Sequence, residues 1–258
     1  MDNLQIIGVG IDRVKTGIKG VDELIDGGIP KGFNVLVTGE PGTGKTIFGM
    51  QYLVNGAKKG EPGIYVDLDM PGSKAREQAN AFGWDIEKLE KDNMLAIIKV
   101  PLDREKIRVF DMLQIEMDRI KAKRLVFDSL ATFAINVEQF SIPLAFDDEI
   151  NKILKAQKVN GEGIYYSGSS EKRITFLVIN HLSQLGTTNL IITDQTSGVS
   201  QLTMDGVSEY VCDGLINLKA LAIGDTVSRT MEVRKMRSTK TDGGIKTYEI
   251  ARDGIVLR

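Results

Sequence analysis

Short apolar runs alternate with amphipathic stretches along most of the 258-residue chain. Apolar runs of the length of buried strands are predicted at residues 34–38, 64–68, 94–100, 124–127 and 190–193. The clearest amphipathic helix is predicted over 104–121, because its apolar residues recur at spacings of three and four. This alternation predicts an α/β fold in which helices flank a mostly parallel sheet.

Three further helices follow from local signals. Residues 46–58 are predicted to form a helix that stops at Gly60, and another is predicted from near Ser73 to Gly83. Residues 174–185 are rich in β-branched side chains, as a strand would be. Their apolar positions nevertheless continue at helical spacing to Gly186, so we predict a helix with a glycine stop.

The pattern changes after Asp213. Four β-rich segments, separated by turn signals, are predicted to form antiparallel strands that extend one edge of the sheet. These segments are residues 214–218, 230–237, 247–250 and 255–257. We expect residues 1–258 to form one domain, with 138–171 as a possible insertion.

Composition narrows the class of protein. Hydrophobic residues make up 42% and charged residues 26%, which is ordinary for a soluble globular protein. No apolar run is long enough to span a bilayer, and no basic segment precedes the first apolar residues, so we expect neither a membrane span nor a signal peptide. The single cysteine cannot form a disulfide within the chain, so we expect a cytoplasmic protein. The net charge is −2, so we expect that the surface as a whole does not attract nucleic acid.

The segment GEPGTGKT at residues 39–46 matches the phosphate-binding P-loop, G-x-x-x-x-G-K-[ST]. A predicted strand precedes it and a predicted helix follows it, which aims backbone N–H groups and a helix dipole at one point. We expect Lys45 to reach the β- and γ-phosphates and the Thr46 hydroxyl to bind Mg²⁺. The predicted nucleotide-binding residues are Gly39, Glu40, Pro41, Gly42, Thr43, Gly44, Lys45, Thr46 and Ile47.

Two carboxylates follow predicted strands and are candidates for chemistry. Asp128 is placed to hold Mg²⁺ through water, with Ser129 beside it in support. The alternative is that Asp128 caps the next helix. Asp69 is placed to orient or deprotonate the water that attacks the γ-phosphate. Its alternative is a turn aspartate before Pro71 and Gly72.

Two further pairs complete the candidate site. Asp194 and Gln195 end the 190–193 strand and could sense the γ-phosphate and signal to residues 196–206; the alternative is an ordinary turn. Lys235 and Arg237 are two apart in a predicted strand and share one face. They could reach phosphates bound by a neighbouring subunit, or form a solvated face with cross-strand partners.

The only histidine, His181, lies on the apolar face of a predicted helix. No other metal-ligating residues cluster near it in the sequence, so we expect it to pack rather than to bind metal or transfer protons.

Together these residues resemble the KaiC-like branch of the RecA superfamily, of archaeal or bacterial type. The resemblance covers nearly the whole chain and is carried, besides the P-loop, by residues 16–32, 55–66, 81–84, 207–214 and 235–238. It implies a RecA-like fold, binding of ATP with Mg²⁺, and a homo-oligomeric ring, expected to be a hexamer. It also implies that Lys235 and Arg237, in a K-x-R segment, act in trans.

The chain departs from this family in two respects. The family usually has two adjacent glutamates where this chain has Asp69 and Met70. Asp69 is one methylene shorter than a glutamate, and Met70 carries no charge. A catalytic group displaced by about 1 Å can lower the rate about a hundredfold. We therefore predict nucleotide binding with slow hydrolysis. KaiC carries two such domains, whereas this chain carries one, so the circadian function does not transfer.

Three functions compete at this point. The first is a ring-forming Mg²⁺-dependent ATPase with a regulatory output. The second is a recombinase paralogue that binds single-stranded DNA, for which Tyr165 and Tyr166 could stack bases beside lysines. Those lysines are Lys152, Lys155 and Lys158. Against it, residues 196–206 contain no Lys or Arg. The third is an ATP-dependent switch that does not hydrolyse.

Overall fold

The computed structural model describes residues 10–68, 74–100, 107–136, 140, 168–195, 202–223 and 226–258. Its strands are β1 Arg13–Val14, β2 Ile29–Pro30, β3 Asn34–Gly39, β4 Gly63–Asp67, β5 Leu95–Lys99, β6 Arg124–Asp128, β7 Thr188–Ile192, β8 Gly214–Ile223, β9 Thr226–Met236, β10 Ile245–Ala251 and β11 Gly254–Leu257. Its helices are α1 Val21–Leu24, α2 Lys45–Ala57, α3 Lys74–Ala81, α4 Ile86–Lys91, α5 Val109–Ile120, α6 Leu130–Ile135, α7 Gly168–Ser183 and α8 Ser208–Val211.

Nine strands form one mixed sheet in the order β11-β10-β9-β8-β3-β7-β6-β4-β5, and β1 pairs with β2 separately. The strands from β8 to β5 in this order run parallel. The strands from β9 to β11 are antiparallel and extend one edge. The predicted RecA-like α/β fold, with antiparallel strands at its C-terminal edge, is therefore confirmed.

The prediction that the antiparallel region begins at residue 214 is wrong. Strand β8 runs parallel to β3, with Val35 opposite Gly214 and Gly39 opposite Leu218. The first antiparallel neighbour is β9. The direction of β8 depends on the segment through α8, which returns the chain to the amino edge of the sheet before β8 begins. The alternation of apolar and polar residues within β8 does not indicate the direction in which the strand runs.

Two predicted helices have different outcomes. Helix α5 begins at Val109, and Ile107 forms an isolated bridge with Phe140 instead of a helical turn. The prediction that residues 107 and 108 belong to this helix is therefore wrong. Residues 101–106 lie outside the described residues. The helix predicted over 174–185 is confirmed by α7, and Gly186 follows with φ 74°.

Apolar side chains cover both faces of the sheet. One layer packs α2, α3 and α4 against the sheet, and the other packs α5, α6 and α7 against the opposite face. His181 lies in the second layer, with its ring edge-on to Phe110 at 4.8 Å between centroids. Burial lowers the pKa of His181. The expected packing role agrees with this contact.

The middle of helix α2 is tied to two strands of the sheet, β6 and β11. Arg124 is fully buried and donates to the carbonyl oxygens of Tyr52 and Lys15 at 2.8 and 2.9 Å. It also forms an ion pair with Glu61. The Gln51 side chain forms two hydrogen bonds with the backbone of Ile255 in β11, at 2.7 and 3.1 Å. These contacts fix the position of α2 against the sheet.

None of the described helices is long and apolar enough to cross a membrane.

Candidate functional site

The loop between β3 and α2 has the shape of a phosphate cradle. It starts at Gly39, where a Cβ would lie 2.2 Å from the carbonyl oxygen of Leu218, so only glycine fits. It ends at Gly44, which caps α2 in a left-handed conformation with φ 93° and makes no side-chain cap bond. No side chain at Gly44 caps the backbone N–H groups in the first turn of α2. These N–H groups and the positive end of the helix dipole can therefore bind an anion.

Thr43 holds the loop from within. Its hydroxyl donates to the carbonyl oxygen of Glu40 at 2.8 Å, and its own carbonyl oxygen accepts a hydrogen bond from the Tyr248 hydroxyl. Burial raises the pKa of Tyr248 to about 12, so the phenol remains a donor at neutral pH. The antiparallel strand β10 thereby stabilises the phosphate loop.

Lys45 lies at the centre of the loop and is almost buried. Its Nζ atom donates to the carbonyl oxygens of Gly39 and Glu40 at 2.8 and 3.1 Å. The same atom forms an ion pair with Asp194 Oδ1 at 2.9 Å. A phosphate oxygen bound by Lys45 must share or replace these three partners.

The two residues predicted to sense the γ-phosphate lie against the loop. Asp194 forms the ion pair with Lys45, and the backbone N–H of Gln195 donates to Gly39 O at 3.2 Å. Nearby, the Thr38 hydroxyl donates to the carbonyl oxygen of Leu202 at 2.5 Å. The end of β7 and the segment that follows it are thus tied to β3 on both sides of residues 196–201, which lie outside the described residues.

Asp128 meets Thr46 at the carboxyl end of β6. The Thr46 hydroxyl donates to Asp128 Oδ2 at 2.8 Å, and Asp128 is only 3% exposed. Ser129, not Asp128, caps α6, because its Oγ accepts the Thr132 N–H at 3.2 Å. The alternative that Asp128 serves as a helix cap is therefore wrong.

This pair of side chains fits Mg²⁺. Mg²⁺ prefers oxygen ligands and is usually held by one or two carboxylates together with substrate phosphates. The Thr46 hydroxyl gives its proton to Asp128, so its oxygen lone pairs can face a cation. Among the described residues no three acidic, histidine or cysteine side chains form a cluster of their own. A cation here would depend on phosphate oxygens and water for its remaining ligands.

The sequence interpretation missed two polar residues of this region. Tyr65 donates its hydroxyl proton to Asp128 Oδ2, the oxygen that also accepts from Thr46. Asp67 is 2% exposed and pairs in register with Asp128 on the neighbouring strand. Burial, and then the negative charge of Asp128, raise the pKa of Tyr65 well above its usual range. The sequence does contain a signal for these residues, because Tyr65 and Asp67 are the polar side chains of an otherwise apolar strand and, two residues apart, share one face of it.

Lys235 and Arg237 lie far from the loop of their own chain. The Lys235 Nζ atom donates to the carbonyl oxygens of Tyr210 and Cys212 at 3.1 and 2.6 Å. Arg237 donates to Tyr210 O at 3.3 Å and forms an ion pair with Asp213 at 3.0 Å. The two cations therefore share one side of the sheet at the C-terminal end of α8, as their spacing predicted.

Burial, and then the positive charge of Arg237, lower the pKa of Lys235. The structure thus holds two cations close together at the amino edge of the sheet, whereas Lys45 and Asp194 lie at the carboxyl edge.

Several predicted residues lie outside the described ranges. These are Asp69 and Met70, and Lys152, Lys155, Lys158, Tyr165 and Tyr166 of the proposed DNA-binding segment. Most of the expected insertion at 138–171 lies outside them as well. The roles expected of these residues stay predictions.

Comparison with known proteins agrees with this geometry. A family model described as "ATPase: KaiC" matches residues 14–157 and 163–258. A UPF0273 protein of Pyrococcus horikoshii is 33% identical, over 95% of this chain and 93% of its own length. Another, from Thermotoga maritima, is 32% identical over 96% of each chain.

Two further comparisons concern KaiC itself and its fold. The circadian clock oscillator protein KaiC of Parathermosynechococcus lividus is 30% identical over 95% of this chain but 42% of its own length. The crystal structure of a KaiC-like protein from Pyrococcus horikoshii matches with a TM-score of 0.77 at 32% identity, and covers 96% of this chain and all of that one. The resemblance drawn from the sequence is confirmed: this chain belongs to the KaiC family of P-loop ATPases.

Proposed function

We propose that this protein binds ATP with Mg²⁺ and hydrolyses it slowly. The observation that carries the proposal is the contact between Thr46 and Asp128, 82 residues apart in sequence, beside the buried Nζ atom of Lys45. A hydroxyl, a carboxylate and a lysine at the mouth of a glycine loop form the set that P-loop enzymes use for a magnesium-bound triphosphate.

Each residue has a distinct part in this proposal. Residues 39–47, apart from Pro41, which has no backbone N–H, hold the phosphates through backbone N–H groups, and Lys45 binds the β- and γ-phosphates. Thr46 would ligate Mg²⁺ directly and Asp128 would hold it through water; the ion neutralises charge that develops on the phosphates. Asp69 orients the attacking water. The neutral Met70 beside it leaves a single carboxylate for this task, which supports slow turnover.

We further propose that the nucleotide lies between subunits of a ring. Four residues of β3 separate the level of Val35 from that of Gly39, which is about 13 Å along a strand. Lys235 and Arg237 lie at the level of Val35, because Met236 pairs with Gly214. This separation supports action on a nucleotide bound by a neighbouring copy, through a head-to-tail contact that closes into a ring.

The output of the ring is proposed to be regulatory. Asp194 contacts Lys45, and Gln195 contacts Gly39, so a γ-phosphate that draws Lys45 away from Asp194 changes the constraints on residues 196–206. Regulation of this kind needs two states that differ in their contacts, here with and without the ion pair between Lys45 and Asp194.

The test is steady-state ATP hydrolysis with Mg²⁺, measured together with light-scattering mass with and without nucleotide. We expect slow turnover and an ATP-dependent ring in the wild type. Lys45→Ala and Asp69→Ala should lose turnover, and Arg237→Ala should lose turnover or assembly. Arg234→Ala is the matched control, because Arg234 lies on β9, three residues before Arg237, but is exposed and pairs with Glu232.

A second candidate is an ATP-dependent switch that does not hydrolyse. It is favoured by the ion pair between Lys45 and Asp194, which gives ATP binding a structural consequence without bond cleavage. The two candidates differ in one result. If ATP changes the mass while the wild type hydrolyses no faster than Asp69→Ala, the protein acts as a switch.

A further inference from the structure

The carboxylate of Asp128 receives a second donor that the P-loop motif does not include. Tyr65, two residues before the end of β4, lies fully buried and donates its hydroxyl proton to Asp128 Oδ2. The Thr46 hydroxyl donates to the same oxygen from the start of α2, at 2.8 Å. Three different elements therefore meet at one carboxylate oxygen.

Two donors on one oxygen have a geometric consequence. A carboxylate with a single hydrogen bond can still turn about its Cβ–Cγ bond, whereas two donors from different elements fix that rotation. They also fix the direction in which the other oxygen, Oδ1, points. Donors of this kind, one step removed from the ion, orient ligating groups and tune their affinity for metal.

A second buried carboxyl group lies next to Asp128 on the neighbouring strand. Asp67 pairs in register with Asp128 on the adjacent parallel strand, and both carboxyl groups are almost completely buried. Residues opposite each other on neighbouring strands project to the same side of the sheet. Asp128 therefore lies beside a second buried carboxyl group, and hydrogen bonds from Tyr65 and Thr46 hold its orientation.

We propose that Tyr65 is a positioning residue for the metal site, which holds the Asp128 carboxylate in the orientation that receives a Mg²⁺-bound water. The inference rests on the proposed binding of ATP with Mg²⁺. It adds a residue outside the P-loop and its acidic partner to the set that determines metal affinity.

A purely structural tyrosine would behave differently, and the chain contains a matched example. Tyr52 is also fully buried, and its hydroxyl donates to the backbone oxygen of Thr188 at 3.1 Å. Tyr52→Phe and Tyr65→Phe each remove one buried hydroxyl and leave the ring in place. Only Tyr65→Phe removes a hydrogen bond to Asp128.

The experiment measures binding of a fluorescent ATP analogue, N-methylanthraniloyl-ATP, to the full chain across a titration of MgCl₂, with an EDTA baseline. We expect Tyr65→Phe to raise the Mg²⁺ concentration at half-saturation by about tenfold or more. Metal-free binding should stay within about twofold of the wild type. Tyr52→Phe should leave the Mg²⁺ dependence unchanged. Melting curves verify that both variants are folded.

Each outcome has a separate meaning. If the wild type binds the analogue without any dependence on Mg²⁺, the proposed function itself fails. If the wild type depends on Mg²⁺ and folded Tyr65→Phe shows the same half-saturation, the role of Tyr65 is wrong while the proposed function stands. If both tyrosine variants shift the Mg²⁺ dependence equally, the effect belongs to core packing and the inference is overturned.

Discussion

Lys45 Nζ and Asp194 Oδ1 lie 2.9 Å apart, which joins the start of α2 to the end of β7. Asp194 is about one-third exposed, whereas the Lys45 side chain is almost buried. The ammonium group that is to bind phosphate is thus already paired with a carboxylate. ATP and Asp194 must therefore compete for Lys45, and this competition governs the first prediction.

Asp194→Asn is expected to tighten ATP binding about twofold to fivefold, because it removes the negative charge that competes for Lys45, and partly exposed ion pairs have modest free energies. Isothermal titration with ATP and Mg²⁺ measures the effect. Asp205→Asn is the control, since Asp205 accepts from the backbone at the start of α8 and does not contact Lys45. Weaker binding in Asp194→Asn would show that Asp194 assists the phosphate instead of competing with it.

Gly39→Ala is expected to abolish nucleotide binding and to lower the free energy of unfolding by about 2 kcal/mol or more. The reason is steric: the added Cβ would lie 2.2 Å from the Leu218 carbonyl oxygen, so β3 and β8 would have to separate. Urea denaturation and ATP titration measure both effects. Gly60→Ala tests the explanation, because Gly60 also has a positive φ of 76° but nothing within 4 Å of its Cβ position. Equal losses of ATP binding in both variants would refute the steric account.

His181 is expected to make stability depend on pH in mildly acidic solution. Burial lowers its pKa below the ordinary value of 6.5, so the unfolded chain binds a proton more readily than the folded chain. Between the lowered pKa and 6.5, the free energy of unfolding therefore rises with pH and falls as the solution is acidified.

The measurement is urea denaturation between about pH 5 and 7.5. Because His181 is the only histidine, His181→Phe should remove the slope that arises between its two pKa values. The replacement keeps an aromatic ring beside Phe110. A variant with the wild-type slope would mean that His181 does not control stability in this range.

The parts of the fold that follow from local signals could be predicted from the sequence. The P-loop, with a strand before it and a helix after it, lies where the motif requires. Asp128 ends the buried strand β6, and Asp194 follows the end of the buried strand β7 by two residues. Parallel strands bring such ends to one edge. The meeting of Thr46 with Asp128 and of Lys45 with Asp194 therefore follows from strand order and motif together.

The features that could not be predicted depend on distant partners. The direction of β8 depends on its pairing with β3, nearly 180 residues earlier, and no pattern within β8 reports it. Tyrosine is common in buried strands, so the sequence alone does not indicate that the Tyr65 hydroxyl binds a specific partner. Only the arrangement of β4 beside β6 brings it to Asp128. The helix predicted from residue 104 starts too early because Ile107 fits the helical spacing of apolar residues. In the structure, Ile107 instead forms a bridge with Phe140.

The central claim is that a neighbouring copy completes each nucleotide site, and complementation in mixed rings tests it most directly. Lys45→Ala and Arg237→Ala, each inactive alone, would be co-expressed in equal amounts and assayed for ATP hydrolysis as a purified ring. In a random ring about one quarter of the sites combine an intact P-loop with a neighbour's intact Arg237, so we predict about one quarter of the wild-type rate. A mixed ring no faster than the two variants assayed separately, beside an active wild type, would contradict the shared site.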